Sequence, residues 1–324
     1  MIEVSHLTKR YGAHAAVTDL SFIIEKGRIY GFLGPNGAGK STTMNIIAGC
    51  MGAAEGTVRI DGHDVFEEPM AAKRRVGYLP EQPPLYTEMT PEEYLRFVAS
   101  AKGVPHAQQE GQVRAVMERT RLEDVRHRLI AHLSKGYRQR VGIAQALLGS
   151  PEVIILDEPT VGLDPAQIIE IRELIRSLGR EHTIVLSSHI LSEVQAVCDQ
   201  IMIIAHGRLV ASDTAENLTG LLSAGATIEL EARGDEAAVR AVLSGLDGVA
   251  RSAYSPGEAE GLTHVALTPA GSADLREAVF ARFAGSGVPL LELRRDKATL
   301  EDVFLELTQD EQTAAADGEE AAGA

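Results

Sequence analysis

The chain has 324 residues, which is enough for one large domain and a smaller one, and 44% of them are hydrophobic although Trp is absent. This composition indicates an α/β protein with an aliphatic core. The formal net charge of −15 argues against a nucleic-acid-binding protein, because a phosphate backbone requires a basic protein surface.

Neither the cysteines nor the apolar runs are typical of a secreted or membrane-spanning chain. Cys50 and Cys198 are far apart and form no C-x-x-C motif, so we expect two buried thiols in a reducing compartment. The opening MIEVSHLTKRY has a strand pattern and not that of a signal peptide. No apolar run approaches the ~18 residues that a membrane span needs. We therefore expect a soluble protein that reaches a membrane only through a partner.

Strand and helix patterns alternate over residues 1 to about 220. Apolar and β-branched runs predict strands at IEVSHLTKRY, AAVTDLSFII, RIYGFLG, GTVRIDG, VIILD, TIVLSS and QIMIIAHGRLV. Helix patterns lie between them: Lys40 to about Cys50, residues 91 to about 149, and the stripe from Ile168 to Leu178, which Gly179 ends. The run VIILD is apolar throughout, as in a strand buried on both faces. This alternation predicts a parallel sheet with helical crossovers.

A different order begins after LLSAGA (221–226). The runs TIELEA, EAAVRAVLSGL, VARSAYS, THVALT, ADLREAVFARFA and VPLLELRR have the order β-α-β-β-α-β, which is that of a ferredoxin-like unit. TLEDVFLELT then predicts a last helix, with a capping-box pattern at Thr299 and Asp302. Residues 309–324 hold five acidic residues and no basic one, and they are predicted to be a disordered tail. We find no catalytic constellation in 226–308, which favours a regulatory or docking role.

The most informative motif is GPNGAGKST (34–42), which follows a predicted strand and precedes a predicted helix. It matches the phosphate loop G-x-x-x-x-G-K-[ST], in which backbone N–H groups and the helix dipole cradle phosphates. Lys40 would reach the β- and γ-phosphates, and the Ser41 hydroxyl would bind Mg²⁺. The predicted nucleotide-contacting residues of this loop are Gly34, Asn36, Gly37, Ala38, Gly39, Lys40, Ser41 and Thr42.

Two adjacent carboxylates lie at the end of the run VIILD. Asp157 would hold the water shell of Mg²⁺. Glu158 is the next residue, where a carboxylate can orient and polarise a water opposite the γ-phosphate. The alternative, a strand end with two solvated acids, is disfavoured because the phosphate loop is already present.

Two further polar residues allow a structural and a functional interpretation. Asp164 precedes Pro165, an arrangement typical of a helix start with Asp as the N-cap. His189 follows the predicted strand TIVLSS, where it could contact a γ-phosphate or serve as a capping or packing residue. The residues by themselves leave both alternatives open.

The stretch LSKGYRQR (133–140) places Ser134 and Gly136 where a helix is expected to begin. A helix N-terminus carries free N–H groups and a positive dipole end, so it attracts an anion. No metal-ligand cluster and no nucleophile paired with a base accompany it. The sequence thus predicts an anion-binding element besides the phosphate loop.

Taken in order, GPNGAGKST, LSKGYRQR, VIILDEPT, VGLDP and LSSHI resemble the ATP-binding subunits of ABC transporters over about residues 1 to 220. The resemblance implies a P-loop NTPase with a RecA-like parallel sheet, an N-terminal antiparallel β part and a helical signature subdomain at about 83–150. The implied domains are 1–222 for the ATPase and 226–308 for the α+β accessory unit. ATP and Mg²⁺ are the implied cofactors.

The resemblance also implies a second ATPase subunit and an integral membrane permease as partners. In the family the signature helix points at the γ-phosphate of ATP held by the opposite subunit, so Ser134 and Gly136 would complete a site on another copy. Asp164 matches the loop that crosses the dimer interface, His189 the histidine that holds the γ-phosphate, and Tyr11 the aromatic that stacks on adenine. For Tyr11 the alternative is a strand-edge aromatic. A homodimer on the cytoplasmic face of the cell membrane is therefore expected.

The chain departs from the family pattern in two places. Lys135 and Tyr137 occupy signature positions that are commonly Gly and Gln. Glu81 stands where a glutamine usually senses Mg²⁺ and the membrane partner, and Gln82 is next to it. A carboxylate can approach Mg²⁺ but adds negative charge beside the γ-phosphate. Which of these two residues fills the role is left open.

With its small C-terminal unit, the pattern resembles the branch of ATPases that serve ABC-2-type exporters of drugs, lipids and polysaccharides. The β-α-β-β-α-β unit mildly disfavours an importer ATPase. A DNA-repair ATPase is disfavoured because only about 90 residues, without sustained heptads, separate the phosphate loop from the signature. A translation-type ATPase would carry two ATPase units in one chain. The expected function is ATP hydrolysis that energises export by a separate permease, whose cargo the sequence does not identify.

Overall fold

The computed structural model describes residues 1–221, 227–257, 259–271, 274–296 and 304. These residues fall into two compact units, of which the first ends at Thr214 and the second begins at Ala215. Residues 222–226 of the expected boundary, the expected helix at 299–308 apart from residue 304, and the acidic tail at 309–324 lie outside the described residues.

The first unit contains the strands and helices that the sequence patterns predict, and four short elements that they do not, at His63–Asp64, Pro69–Lys73, Val76–Leu79 and Leu191–Val197. In chain order its elements are β1 (Ile2–Tyr11), β2 (His14–Ile24), β3 (Ile29–Leu33), α1 (Lys40–Ile47), β4 (Glu55–Ile60), β5 (His63–Asp64), α2 (Pro69–Lys73), β6 (Val76–Leu79), α3 (Pro91–Ala101), α4 (His106–Arg119), α5 (Lys135–Leu147), β7 (Val153–Leu156), α6 (Pro165–Leu178), β8 (Thr183–Ser188), α7 (Leu191–Val197), β9 (Gln200–Ala205) and β10 (Arg208–Asp213). Short 3₁₀ helices at Glu123–Val125 and Ile130–His132 precede α5.

Two sheets build this unit. The larger has the strand order β10-β9-β3-β8-β7-β6 and is parallel except for β10, which pairs antiparallel with β9. The smaller has the order β2-β1-β4-β5 and is antiparallel. The expected parallel core and N-terminal antiparallel part are both confirmed.

The parallel sheet brings three chain segments to one edge. Every residue of β3, β7 and β8 is buried, as expected for strands that are covered on both faces. Ligands of such sheets bind beyond the carboxyl ends of the strands. Here those ends lead into the loop at 34–39, into Asp157 and Glu158, and into His189. The fold therefore gathers the predicted motifs in one place.

The core of the first unit joins both sheets to α1. Phe22 of β2 and Phe32 of β3 meet edge to face, with ring centroids 5.4 Å apart. Met44, Ile46 and Ile47 of α1 are fully buried in the same cluster. This packing holds the helix that follows the phosphate loop against the sheets.

Helices α3, α4 and α5 fill the region, residues 91–149, where a helical pattern was expected. The end of α5 is tied to the end of α3 by Lys102. Its ammonium group donates hydrogen bonds to the carbonyl oxygens of Gln145, Ala146 and Leu148, which a helix end leaves without intrahelical partners. Burial lowers the pKa of Lys102 to about 8.

The second unit is an α+β sandwich. Its described elements are α8 (Ala215–Leu221), β11 (Thr227–Arg233), α9 (Glu236–Leu243), β12 (Val249–Pro256), β13 (Leu262–Pro269), α10 (Arg276–Ser286) and β14 (Leu290–Asp296). The sheet has the order β12-β13-β11-β14, and all of its pairs are antiparallel. Leu230, Val265, Val239 and Phe283 join the sheet to α9 and α10 in one core. From β11 to β14 the order is β-α-β-β-α-β, as the sequence predicts for a ferredoxin-like unit.

Three local details correct the expectation or add to it. QIMIIAHGRLV is a hairpin of β9 and β10, joined at His206 and Gly207, whose φ angles of 48° and 76° suit a two-residue hairpin turn. Gly179 does follow α6, but with a right-handed φ of −61°, and a Cβ there would contact the side chain of Ile29. Glycine is therefore needed there for packing and not for chain reversal. Cys50 is exposed, so the expectation of two buried thiols was wrong.

Candidate functional site

The loop between β3 and α1 is shaped for a close approach of a ligand to its backbone. Gly37 and Gly39 have φ angles of 83° and 100°, which residues with a side chain rarely adopt. A Cβ on Gly34 would collide with the carbonyl oxygen of Ile204. Gly39 is the N-cap of α1, and no side chain caps this helix. Its first N–H groups are thus left for another acceptor, as phosphate binding requires.

Lys40 is an almost fully buried cation, 5% exposed. Its Nζ donates hydrogen bonds to the carbonyl oxygens of Gly34, at 2.7 Å, and Pro35, at 3.1 Å. It lies 3.9 Å from Glu158 Oε1. Burial lowers the pKa of Lys40, while the charges of Glu158, Asp157 and Glu81 act in the opposite direction. A poorly solvated ammonium group of this kind interacts strongly with an anion that enters the loop.

A hydroxyl and a carboxylate meet where a metal was predicted. The Ser41 hydroxyl donates a hydrogen bond to Asp157 Oδ1 at 3.0 Å, and the Ser187 hydroxyl donates to the same oxygen at 2.6 Å. Among the described residues, no group of three or more His, Cys, Asp or Glu side chains is arranged to hold a metal ion. Mg²⁺ commonly takes one or two protein oxygens and completes its shell with phosphate and water oxygens. The Ser41–Asp157 pair fits that manner of binding.

Glu158 has a strained backbone and a buried carboxylate. Its φ of 47° is left-handed, a conformation that costs on the order of 1–3 kcal/mol for a residue with a side chain. Its N–H donates to the Ser187 hydroxyl at 2.8 Å. His189 Nδ1 lies 2.9 Å from Glu158 Oε2 and donates to it, since a carboxylate only accepts. Strain of this kind, held by buried hydrogen bonds, is typical of functional sites.

These groups surround a cavity of about 510 Å³, within the usual size of a small-molecule site. The predicted site residues that line it are Tyr11, Asn36, Gly37, Ala38, Gly39, Lys40, Ser41, Thr42, Glu81, Glu158 and His189. Three more lining residues were not predicted: His14, Ala16 and Val161. The sequence thus identified most of the cavity wall, including both catalytic candidates outside the phosphate loop.

Tyr11 ends β1 at the rim of the cavity, and its ring is 47% exposed. Its hydroxyl donates to the sulfur of Met51 at 2.9 Å, which holds the ring in place. The ammonium group of Lys9 lies 5.5 Å from the ring centroid. An exposed, oriented aromatic ring at a cavity rim can stack on a flat ligand.

Six predicted site residues do not line this cavity: Gly34, Gln82, Ser134, Gly136, Asp157 and Asp164. Of these, Gly34 and Asp157 lie beside it, because they accept hydrogen bonds from Lys40 and Ser41. The Ser134 hydroxyl caps α5 by accepting the Tyr137 N–H at 3.4 Å. A Cβ on Gly136 would collide with the side chain of Gln167. The start of α5 is therefore packed against α6 and lies outside the nucleotide cavity of its own chain.

The structural alternative for Asp164 is realised in this chain. Asp164 Oδ1 accepts the Gln167 N–H at 2.9 Å, and Pro165 occupies the first turn of α6. This is the N-cap arrangement that the Asp-Pro pair predicts. The cap leaves the carboxylate exposed, so capping does not conflict with a contact to a second chain.

Of the two neighbouring candidates after β6, only Glu81 lines the cavity. Its charge opposes the lowering of the pKa of Lys40. Gln82 is exposed. The backbone thus directs the carboxylate, and not the amide, toward the phosphate loop.

Ser187 is the main residue that sequence reasoning missed. It is fully buried and joins the two acids, by donating to Asp157 and accepting from the N–H of Glu158. The available signal was a pair of serines at the end of an otherwise apolar strand, TIVLSS, directly before His189. A buried hydroxyl at a strand end requires a partner, and the parallel neighbour β7 supplies it.

Several known proteins are similar in sequence to this chain. The family model described as "ABC transporter" matches residues 17–161. The linearmycin resistance ATP-binding protein LnrL of Bacillus subtilis (strain 168) is 31% identical over 309 residues, which are 95% of this chain and 98% of that protein. The bacitracin transport ATP-binding protein BcrA of Bacillus licheniformis is 41% identical over 212 residues, which are 65% of this chain and 68% of that protein.

A solved structure with a similar fold is a dimeric ATP-binding cassette in a post-hydrolysis state, bound to ADP and phosphate. It is 25% identical and superimposes with a TM-score of 0.60, covering 66% of this chain and 98% of its own. The similarity covers about the length of the first unit. It agrees with the resemblance that the sequence motifs suggested.

Proposed function

We propose a function for this chain on the premise that it belongs to the ABC transporter family, as an ATP-binding protein. The chain hydrolyses ATP and thereby energises export of a substrate by a separate membrane permease. The observation that carries this proposal is the cavity at the edge of the parallel sheet, where Lys40, the Ser41–Asp157 pair and Glu158 converge.

Different residues of the cavity contact different parts of the nucleotide. The N–H groups at the start of α1 and the Lys40 ammonium bind phosphates, and the Tyr11 ring packs on the base. Ser41 and Asp157 hold Mg²⁺, which neutralises charge on the phosphates when bound. Glu81, which lines the cavity, is better placed than Gln82 to monitor this ion.

Glu158 serves as the general base. Its carboxylate is buried, lies one residue beyond the metal ligand, and is oriented by the donor His189. A carboxylate fixed in this way accepts a proton from the attacking water. His189 holds the carboxylate and is itself 40% exposed, so it remains accessible to a phosphate.

The active form is a homodimer in which each nucleotide lies between two copies. Support comes from the start of α5: Ser134 and Gly136 present a helix N-terminus that lies outside the cavity of their own chain. Asp164 belongs to the same interface in this proposal. The solved cassette of similar fold is dimeric and bound to ADP and phosphate, which supports a dimer here.

The permease is a separate partner. Among the described residues, none of the helices combines the length and the apolarity that crossing a membrane requires. LnrL and BcrA are named for linearmycin resistance and bacitracin transport, which supports an exporter. In this proposal the ATPase domain is 1–222 and the accessory domain is 226–308, and the chain lies on the cytoplasmic face of the membrane, against a permease.

The direct test of this function is twofold. Purified protein with Mg²⁺ and ATP should release phosphate, and tagged protein should co-purify with a polytopic membrane protein from detergent-solubilised membranes. Co-purification with ribosomes, or no phosphate release with or without the membrane partner, would contradict the proposal.

The dimer makes a separate prediction for Ser134. Ser134→Arg places a bulky cation at the start of α5, so it should leave ATP binding by the monomer intact and stop hydrolysis. Ser100→Arg, the same change at an exposed serine of α3, is the matched control. Binding is measured by isothermal titration and turnover by phosphate release. Wild-type turnover in Ser134→Arg would show that the site is complete within one chain.

A further inference from the structure

A buried carboxylate that takes no part in the proposed chemistry lies behind the site. Glu193, in the first turn of α7, is 5% exposed and does not line the nucleotide cavity. Its Oε2 accepts hydrogen bonds from the hydroxyls of Thr160 and Ser188. Its Oε1 lies 3.9 Å from Arg172 Nη2. Burying a carboxylate is costly, so these contacts require an explanation.

The two hydroxyls belong to the two segments that carry the catalytic pair. Thr160 is two residues after Glu158, and Ser188 directly precedes His189. The Ser188 hydroxyl also accepts the Ile190 N–H at 3.0 Å, so both sides of His189 are fixed through it. One carboxylate oxygen thus bridges the loop after β7 and the last residue of β8, next to His189.

Such a bridge matters because the catalytic pair is easily disturbed. Glu158 has a left-handed backbone and is held 2.9 Å from His189 Nδ1. A strained backbone keeps its conformation only where surrounding contacts enforce it. The Ser187 hydroxyl accepts a hydrogen bond from the N–H of Glu158. The Glu193 carboxylate accepts one from Thr160, two residues farther along the chain.

We propose that Glu193 is a positioning residue that fixes the spacing of Glu158 and His189, a role that rests on the proposed ATPase function. An acceptor at this position satisfies two buried hydroxyls at once. Alanine would leave both hydroxyl protons without an acceptor and release the two segments from each other. Glutamine can present its amide oxygen to both hydroxyls and loses only the charge that faces Arg172.

The test compares three variants of the full chain. Glu193→Ala should lower kcat for ATP hydrolysis about 10²-fold, the effect of a small misplacement of catalytic groups. The KM for ATP and the Kd for ATP should change little, because Lys40, Ser41 and Asp157 are untouched. Glu193→Gln should keep most of the wild-type kcat. Glu181→Gln, the same change at an exposed, ion-paired carboxylate, is the matched control and should have no effect.

Thr160→Val removes one of the two hydrogen bonds to Glu193, because valine lacks the hydroxyl but has nearly the same volume as threonine. It should lower kcat less than Glu193→Ala does. The double variant should be no worse than Glu193→Ala alone, because both changes break one bridge and their effects should not add. Additive losses would mean that the two residues act independently and would overturn the proposal.

A folded Glu193→Ala protein with wild-type kcat would overturn the proposal, as would a loss confined to ATP affinity. If that variant does not fold, Thr160→Val decides in the same way. The crystal structure of either variant tests the bridge without reference to activity: the contact between Glu158 and His189 must lengthen. An unchanged contact overturns the bridge, whereas an inactive wild-type protein contradicts the ATPase function instead.

Discussion

Glu158→Gln is expected to bind ATP normally and to hydrolyse it about 10²–10⁴-fold more slowly, the usual loss when a general base is removed. The substitution keeps the size of the side chain and an oxygen that can accept from His189. It cannot take a proton from water. Lys40, Ser41 and Asp157 are unchanged, so binding of the nucleotide and its metal should be spared.

The slow variant should also change the assembly of the protein. With hydrolysis blocked, ATP remains between the two copies and the dimer should persist. On size-exclusion chromatography with Mg²⁺, the variant should elute as a dimer in ATP and as a monomer in ADP. Glu152→Gln, at an exposed carboxylate just before β7, is the control. A monomer under both conditions with near-normal turnover would mean that the base lies elsewhere.

Lys40→Ala is expected to abolish turnover and to weaken ATP binding by roughly 10²-fold or more, the scale of losing one partner of a buried charge pair. The side chain of Lys40 is buried, so its ammonium group is poorly solvated before a nucleotide enters, and the same burial lowers its pKa. The phosphates would add negative charge to that of Glu158, Asp157 and Glu81 around this ammonium group. Alanine removes that attraction without altering the glycines that shape the loop.

The fold should survive the Lys40 substitution, because the core that holds α1 consists of Met44, Ile46 and Ile47. Circular dichroism should therefore show a thermal transition with wild-type cooperativity. Lys26→Ala, at an exposed lysine paired with Asp61, is the control for removing a positive charge. Unchanged ATPase activity in a folded Lys40→Ala protein would disprove the assignment of the phosphate loop.

The parts of the site that are built from residues close together in the sequence could be predicted. A phosphate loop is built by consecutive backbone groups, so Gly37, Gly39 and Lys40 could be assigned from one short motif. Asp157 and Glu158 come at the end of a short apolar run, which is typical of a strand buried on both faces. The parallel sheet then had to bring both segments to the same edge.

Contacts between segments that are distant in the sequence could not be predicted from it. Ser187 lies 30 positions from Asp157, and Thr160 lies 33 positions from Glu193. Such pairs depend on which strands are neighbours and on which side chains point inward at their ends. Nothing in the local pattern distinguishes a buried serine of this kind from one that is solvated. Ser187 and Glu193, which contact the segments of the proposed catalytic pair, were missed for this reason.

Short elements were also hard to predict. Strand β6 has only four residues, VGYL. Its glycine lies between two apolar residues, a pattern that a loop matches as well as a strand does. The β9–β10 hairpin turns at His206, which has a positive φ that is uncommon for a residue with a side chain. Tertiary pairing decided both cases, since an isolated strand of this length has little stability of its own.

The location of Ser134, outside the cavity that contains Lys40 of the same chain, has a genetic consequence. Two copies that are each inactive can compensate for one another if their defects lie in different halves of the composite site. When Ser134→Arg and Lys40→Ala proteins are mixed, one site of each mixed pair combines an intact phosphate loop with an intact signature helix. Activity should therefore reappear in a mixture of two dead proteins, and two alleles of one gene should complement each other within a single cell.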